Sequence, residues 1–217
     1  MKIAVLGATG ETGQQFVQQA LAQGHELTLL VRTPGKIAVN HPKQTIVQGD
    51  ARSLDDMTRT IRGQDAVFCA LGSGYNLRGS DIRTEGTRQL IRAVKAVGEN
   101  PHLVVLSSLG AGDSQNQMSL PNRMFVRSIL HNVLLDHEAQ EALVRESGLT
   151  WTILRPSGLN SEPPQGIIQA SQPPEPVNPR MSVSRADVAA FALRAIEGQQ
   201  YRSQTLTLTF AMPQRLR

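Results

Sequence analysis

Gly7-Ala8-Thr9-Gly10-Glu11-Thr12-Gly13 is the stretch of this chain whose residue types and spacing most directly imply chemistry. It follows a short apolar run, Lys2-Ile3-Ala4-Val5-Leu6, of the kind that forms a buried parallel strand. Beyond it, Phe16, Val17, Ala20 and Leu21 recur at helical spacing, and Gly24 is a helix stop. A strand, a glycine-rich turn and a helix make a phosphate-binding unit. Gly7 permits a tight turn with positive φ. Gly10, without a side chain, lets a diphosphate approach the backbone, and Gly13 lets the helix lie close to the strand. The first-turn N–H groups then face the anion, with the helix dipole adding ~0.3–1 kcal/mol.

A second group of residues bears on which dinucleotide such a turn would hold. The run Glu26–Val31 ends at Arg32, nineteen residues after Gly13. Sites for an unphosphorylated ribose usually carry Asp or Glu near this point. A guanidinium instead forks onto a 2′-phosphate, and Lys36 supplies a second charge. The expectation is NADPH in preference to NADH; the bland alternative is two solvated loop cations. Further along, Ser107-Ser108 closes the run His102–Leu106, which directs two hydroxyls toward the nicotinamide end of a dinucleotide site. Arg123 and Arg127 could attract an anionic substituent of a substrate. His131 and His137 are candidate proton donors, although solvated or capping roles on their helix are favoured. Cys69 lies inside an apolar run and reads as a buried, inert thiol.

These residues need a scaffold, and the rest of the chain supplies one. Strands are expected at 26–31, 45–50, 102–106 and 151–154, one ending at Leu71, and a last one over 205–210 at a sheet edge. Helices alternate with them, one opening at Ser53 and one at Ser184. Both starts read as capping boxes with Asp56 and Asp187 in the closing position. Residues 123–147 read as one long helix or a broken pair, and 111–122 as a mobile loop over the site. Half of the 12 prolines fall within 161–180, which reads as a substrate-side insertion with one short strand. Strand–helix alternation throughout predicts an α/β fold, a doubly wound parallel sheet in one domain spanning 1–217.

Composition narrows the functional classes. The 217 residues are 40% hydrophobic, enough for one substantial core. No run of about 18 apolar residues predicts a transmembrane span. The N-terminus enters a strand at once, leaving no room for a signal peptide, and one cysteine suits a reducing compartment; a cytoplasmic location is expected. Net charge is +4, carried by scattered arginines with no basic tail. That disfavours nucleic-acid binding and suits an anionic cofactor. No metal is expected, and the protein is expected to be a monomer.

The spacing G-x-x-G-x-x-G, together with Val31-Arg32, Gly49-Asp50, Glu85-Gly86-Thr87, Arg145-Glu146-Ser147-Gly148-Leu149, Leu154-Arg155-Pro156 and Ser184-Arg185-Ala186-Asp187-Val188-Ala189, resembles the NAD(P)-binding atypical short-chain dehydrogenases/reductases. Within these it is most similar to the compact flavin reductase, or biliverdin IXβ reductase, type. The resemblance spans nearly the whole chain and implies a Rossmann fold. It implies a diphosphate loop at Gly7, Thr9, Gly10, Glu11, Thr12 and Gly13, and 2′-phosphate contacts at Arg32 and Lys36. It places the adenine edge at Asp50 and Ala51 and a cofactor-lining loop at Leu71, Gly72 and Ser73. Ser107 and Ser108 fall near the nicotinamide, with Ser108 as the catalytic candidate, and Pro156, Ser157, Gly158 and Leu159 fall against its carboxamide. The chain departs from the flavin reductase pattern at Gly74, where an arginine is usual, and at Ser157, where a second proline is usual. Its 111–122 loop is also longer.

The common short-chain dehydrogenases protonate a carbonyl oxygen with the tyrosine of Tyr-x-x-x-Lys. Here Tyr75 is followed at the fourth place by Gly79, and Tyr201 by Thr205. Without that pair, simple ketone reduction and sugar epimerisation lose their acid/base group. Flavins, quinones and biliverdin-like tetrapyrroles spread the incoming charge and take their proton from solvent, so the protein need only position them. The expected function is NADPH-dependent reduction of such a planar aromatic or tetrapyrrole acceptor. The alternative is a non-catalytic NADP(H)-binding redox sensor or assembly factor.

Overall fold

The computed structural model describes residues 1–37, 40–74, 80–166, 168–177 and 182–210. Tyr75, Asn76 and Gly79, residues 178–180 of the expected insertion, and Ile167 lie outside the described residues. In chain order the elements are β1 (Lys2–Leu6), α1 (Glu11–Ala22), β2 (Glu26–Val31), β3 (Gln44–Gln48), α2 (Leu54–Ile61), β4 (Ala66–Cys69), α3 (Ile82–Val97) and β5 (His102–Leu106). There follow α4 (Leu120–Arg145), β6 (Trp151–Pro156), β7 (Leu159–Asn160), β8 (Ile168–Ser171), β9 (Val183–Ser184), α5 (Arg185–Glu197) and β10 (Gln204–Phe210).

Eight strands form one sheet in the order β3-β2-β1-β4-β5-β6-β10-β8. All neighbours are parallel except β8, which runs antiparallel to β10. Strand periodicity divides the core in two. Ile3 and Val5 face one side with Phe16 and Val17 of α1 and Phe191 and Leu193 of α5. Ala4 and Leu6 face the other with Met57 of α2, Leu90 of α3 and Val144 of α4. Both faces of the central strands are therefore covered, which is why β1, β4 and β5 are near-continuous apolar runs. Phe16 and Phe68 stack across α1 and β4 with ring centroids 4.1 Å apart. Successive strands run outward from β1 in opposite directions along the sheet. The resulting crevice lies between the C-terminal ends of β1 and β4, where open α/β sheets place their ligands.

Several expectations change. The strand over 205–210 is not at the edge: β10 lies between β6 and β8, and the edge belongs to β8, a strand of the proline-rich insertion. The fourth strand ends at Cys69 rather than Leu71. The expected helix over 123–147 is one unbroken helix, α4, which begins earlier, at Leu120, and ends at Arg145. The 111–122 segment folds into a 3₁₀ turn over Gly112–Gln117 with Ser114 and Gln117 buried. Gln117 holds it to the body, donating to the Glu175 carbonyl at 2.8 Å and accepting from Thr207 Oγ1 at 2.6 Å.

Only half of each expected capping box forms. Ser53 Oγ accepts from the Asp56 amide at 3.2 Å, and Ser184 Oγ from the Ala186 amide at 3.2 Å. The acids turn elsewhere. Asp56 accepts from the Asp50 amide at 3.0 Å, and Asp187 accepts from the amides of Gln165 and Gly166, each at 2.9 Å. Each carboxylate thus anchors a loop at the sheet's C-terminal side instead of closing its own helix.

Candidate functional site

A cavity of about 610 Å³ opens along that C-terminal side. At its centre is the glycine turn. Gly7 has φ +89°, and a Cβ there would lie 2.3 Å from the Ala70 carbonyl oxygen at the end of β4. A Cβ on Gly13 would lie 2.1 Å from the Gly7 oxygen. These two glycines are demanded by packing of the turn itself. Gly10 differs: a Cβ would meet only the Gly7 oxygen, at 3.3 Å, and the residue lines the cavity. Gly10 is also the N-cap of α1 and has no side chain to bond the first-turn amides. A bare helix start beside an open face is the feature a diphosphate requires, so the residues present fit a dinucleotide.

The cavity brings together Gly7, Thr9, Gly10, Glu11, Thr12, Gly13, Arg32, Asp50, Ala51, Leu71, Gly72, Ser107, Ser108, Pro156, Gly158 and Leu159. Lys36, Ser73 and Ser157 do not line it. Arg32 is exposed at the end of β2 and carries no hydrogen bond or ion pair to a described residue. Asp50 is fixed by the turn after β3, where its Oδ1 accepts from the Arg52 amide at 2.9 Å. Leu71 is held by α3: a Cβ on Gly86 would lie 2.4 Å from Leu71 Cδ1, so the glycine of Glu85-Gly86-Thr87 exists to admit that side chain. Arg123 and Arg127 do not line the cavity. They extend from α4 onto Asn116 Oδ1 at 3.4 Å and Gln115 Oε1 at 3.0 Å.

At the end marked by Ser107 and Ser108 the wall is supported by a buried ionic cluster that the sequence did not disclose. Ser107 Oγ donates to Glu141 Oε1 at 2.6 Å. Arg155, fully buried on β6, forks onto the same carboxylate with Nε–Oε1 2.8 Å and Nη2–Oε2 2.6 Å. Its Nη1 reaches Asp113 on the 3₁₀ turn at 2.6 Å, and Arg145 adds a bond to Glu141 Oε2 at 3.0 Å. Burial works against the Arg155 charge, but Glu141 and then Asp113 hold its pKa above the usual value. Because the only hydroxyl proton of Ser107 is committed to Glu141, its oxygen presents lone pairs to other neighbours.

Arg83 and Arg185, which were not expected to, also line the cavity, as does His137, a candidate proton donor for which a solvated or capping role was favoured. Arg83 pairs with buried Asp136 at 3.2 Å and bonds it through its amide. His137 is buried, not solvated or capping. Burial and then the Arg83 charge push its pKa down to about 3, so the ring is neutral at pH 7. Leu134, His137, Glu141 and Val144 form one inward stripe of α4. That 3-4-3 spacing was the available signal, hidden because two of its four positions are polar. His131 is exposed. Cys69 is buried, and burial lifts its thiol to about 11, in keeping with an inert group. Among the described residues no group of His, Cys, Asp or Glu is arranged to hold a metal. No helix among them is long and apolar enough to cross a membrane.

A glycine turn at the first strand–helix junction, beneath a crevice at the sheet's reversal point, defines a dinucleotide-binding α/β protein. The particular family follows from comparison: residues 7–199 match the NAD(P)H-binding family model, and the chain belongs to that family. An uncharacterized chloroplastic protein of Arabidopsis thaliana is 32% identical over 206 residues, covering 90% of this chain and 71% of that protein. The photosystem II assembly factor Ycf39 of Synechocystis is 29% identical over 204 residues, covering 91% of this chain and 59% of its own length. Among solved structures, ChuY, an anaerobillin reductase of Escherichia coli O157:H7, superposes with a TM-score of 0.80 at 21% identity, covering 98% of this chain and 100% of that one. At that identity the likeness establishes the fold.

Proposed function

We propose that this protein is an NADPH-dependent reductase that delivers hydride to a planar conjugated acceptor, a flavin or a biliverdin-like tetrapyrrole. When bound, the dinucleotide supplies the hydride. The chain's own residues bind and orient. Gly7, Thr9, Gly10, Glu11, Thr12 and Gly13 receive the diphosphate; Arg32 receives the 2′-phosphate; Asp50 and Ala51 bound the adenine. Leu71 and Gly72 flank the ribose. Ser107 and Ser108 with Pro156, Gly158 and Leu159 hold the nicotinamide end, and Ser108 is the residue we assign to the chemistry. The insertion within 161–180 completes the single domain on the acceptor side.

One observation carries the reading. The cavity that brings together most of the expected cofactor frame is lined, with Ser107 and Ser108, by a histidine held neutral by burial, and by no tyrosine or lysine among the described residues. A ketone's developing alkoxide needs a positioned acid, worth about 10²–10⁴-fold. A conjugated acceptor spreads the same charge and takes its proton from solvent. Membership of the NAD(P)H-binding family supports a reaction that uses this cofactor. The test is to follow NADPH absorbance with FMN, biliverdin, a quinone and a simple ketone side by side. Turnover of the conjugated acceptors with little ketone reduction is expected, and Ser108→Ala should slow it only modestly. Faster ketone reduction would refute the mechanism.

A second reading is a NADP(H)-binding sensor or assembly factor without turnover. It is favoured by the outer side of α4, where Leu120, Met124 and Phe125 are each about two-thirds exposed, a surface suited to a protein partner. Tight NADPH binding with no oxidation by any of the four acceptors would favour it.

A further inference from the structure

We propose that Arg185 is a ligand of the cofactor's diphosphate, kept at its post by Glu11. The inference rests on the reading of the cavity as the NADPH site. Glu11 is the first residue of α1, next to Gly10, and Arg185 is the first residue of α5. Arg185 Nε meets Glu11 Oε2 at 2.8 Å, and its Nη1 donates to Ser161 Oγ at 3.2 Å. Both residues line the cavity. The two helices are fastened side by side, with Gln19 Nε2 donating to the Ala186 carbonyl at 2.9 Å. The base of the Arg185 side chain is therefore fixed relative to the glycine turn.

The charges explain why such a pair should stand there. A carboxylate at the first position of a helix interacts well with the helix dipole. The same carboxylate opposes any anion seated on that helix end. An arginine resolves the conflict, because a guanidinium carries five donors in a planar fork. Here Nε and Nη1 are committed, to Glu11 and Ser161, while Nη2 carries no hydrogen bond to a described residue. The Arg185 side chain is 17% exposed against 52% for Glu11, so the guanidinium is partly withdrawn from water, and the residue lines both the cofactor cavity and a neighbouring cleft that includes Ser161. Charge-assisted bonds from such a group to phosphoryl oxygens are the strong kind. Arg32 serves the 2′-phosphate at the end of β2; Arg185 serves the diphosphate at the start of α1. The two cations thus divide the cofactor's phosphates between them.

The experiment titrates NADPH, and separately adenosine 2′-phosphate, which lacks the diphosphate, into the wild-type protein and the variants Arg185→Gln, Glu11→Gln and the double variant. Arg185→Gln is expected to weaken NADPH about 10- to 100-fold and to leave adenosine 2′-phosphate unchanged. Glu11→Gln keeps an amide oxygen to accept from Arg185 Nε but removes a like charge, so NADPH should tighten about 3- to 10-fold, and the double variant should regain part of the loss. If Arg185→Gln does not fold, Arg185→Lys retains the charge but not the fork, and a several-fold weaker NADPH affinity is expected. Wild-type NADPH affinity in whichever variant is folded would overturn the inference while leaving the cofactor reading intact. So would an equal loss for adenosine 2′-phosphate, the mark of a merely structural pair. Failure of the wild-type protein to bind NADPH would overturn both.

Discussion

Where the dinucleotide's phosphates are expected, the cavity wall is mostly backbone: Gly7, Gly10 and Gly13 in a turn of three glycines, then an uncapped helix start, with Arg32 exposed alongside. Where the acceptor is expected, the wall is side chains propped from behind by Glu141, Arg155, Asp113 and Arg145. The first region answers to local rules. A positive φ, a close backbone contact and a charged strand end each need one residue type at one place. The second answers to contacts between segments far apart in the chain, so one residue's meaning depends on the type of another. A site can thus be conventional where it grips its cofactor and particular where it meets its acceptor.

That contrast can be broken first at the buried cluster. Glu141→Leu should strip the buried Arg155 charge of its buried partner, leaving only the exposed Asp113 carboxylate, and cost about 3–5 kcal/mol in urea unfolding. The double replacement Glu141→Leu with Arg155→Met removes both charges and should recover most of it. A small loss for the single variant would mean that water reaches Arg155 and that the acceptor end is not propped as described.

The phosphate end predicts a smaller effect confined to binding. Arg32→Asp should leave stability unchanged and weaken NADPH by about 1.5–3 kcal/mol, or about 10- to 150-fold, abolishing or reversing the preference over NADH. Equal affinity of the unaltered protein for the two cofactors would remove Arg32 from the site.

The mildest test sharpens the comparison through pH. His137 has a pKa of about 3 in the folded protein against 6.5 for the free group. Between those values the unfolded chain binds the extra proton, so stability falls as pH drops below 6.5. The slope is about 1.4 kcal/mol per pH unit from this residue. His102, lowered by burial and then by Arg202, acts in the same direction. His137→Gln should flatten the decline in melting temperature from pH 7 to pH 5. An unchanged slope would place the ring in water.

The same division governs what could be read from the chain. The parallel sheet, its helices and the glycine turn were legible because each is written in contiguous residues: an apolar run, a 3.6-residue repeat, a glycine at a junction. The place of Arg32 at the cavity rim was legible because its distance from Gly13 is set by one helix and one strand. His137 was misread because a polar residue on a helix looks solvated until its neighbours Leu134, Glu141 and Val144 are known to face inward. Asp187 looked like a helix cap because Ser184 stood three residues before it. Its carboxylate is taken instead by two amides more than twenty residues upstream, at Gln165 and Gly166. The position of β10 depended on whether the insertion contributed a strand beyond it, which no local pattern records.

That added strand has a consequence for how molecules of this protein behave toward one another. Without β8, the alternating Thr and Leu of Gln204–Phe210 would present an open row of amides and carbonyls, the ready template on which another chain's strand can grow. β8 covers it with four residues of which Gln169 and Ala170 are exposed, and prolines stand on both sides of it in the sequence. A strand that short, polar and hemmed by residues lacking an N–H propagates poorly. The proline-rich segment is in this sense a selvage, finishing the woven edge of the sheet so that it does not extend into its neighbours.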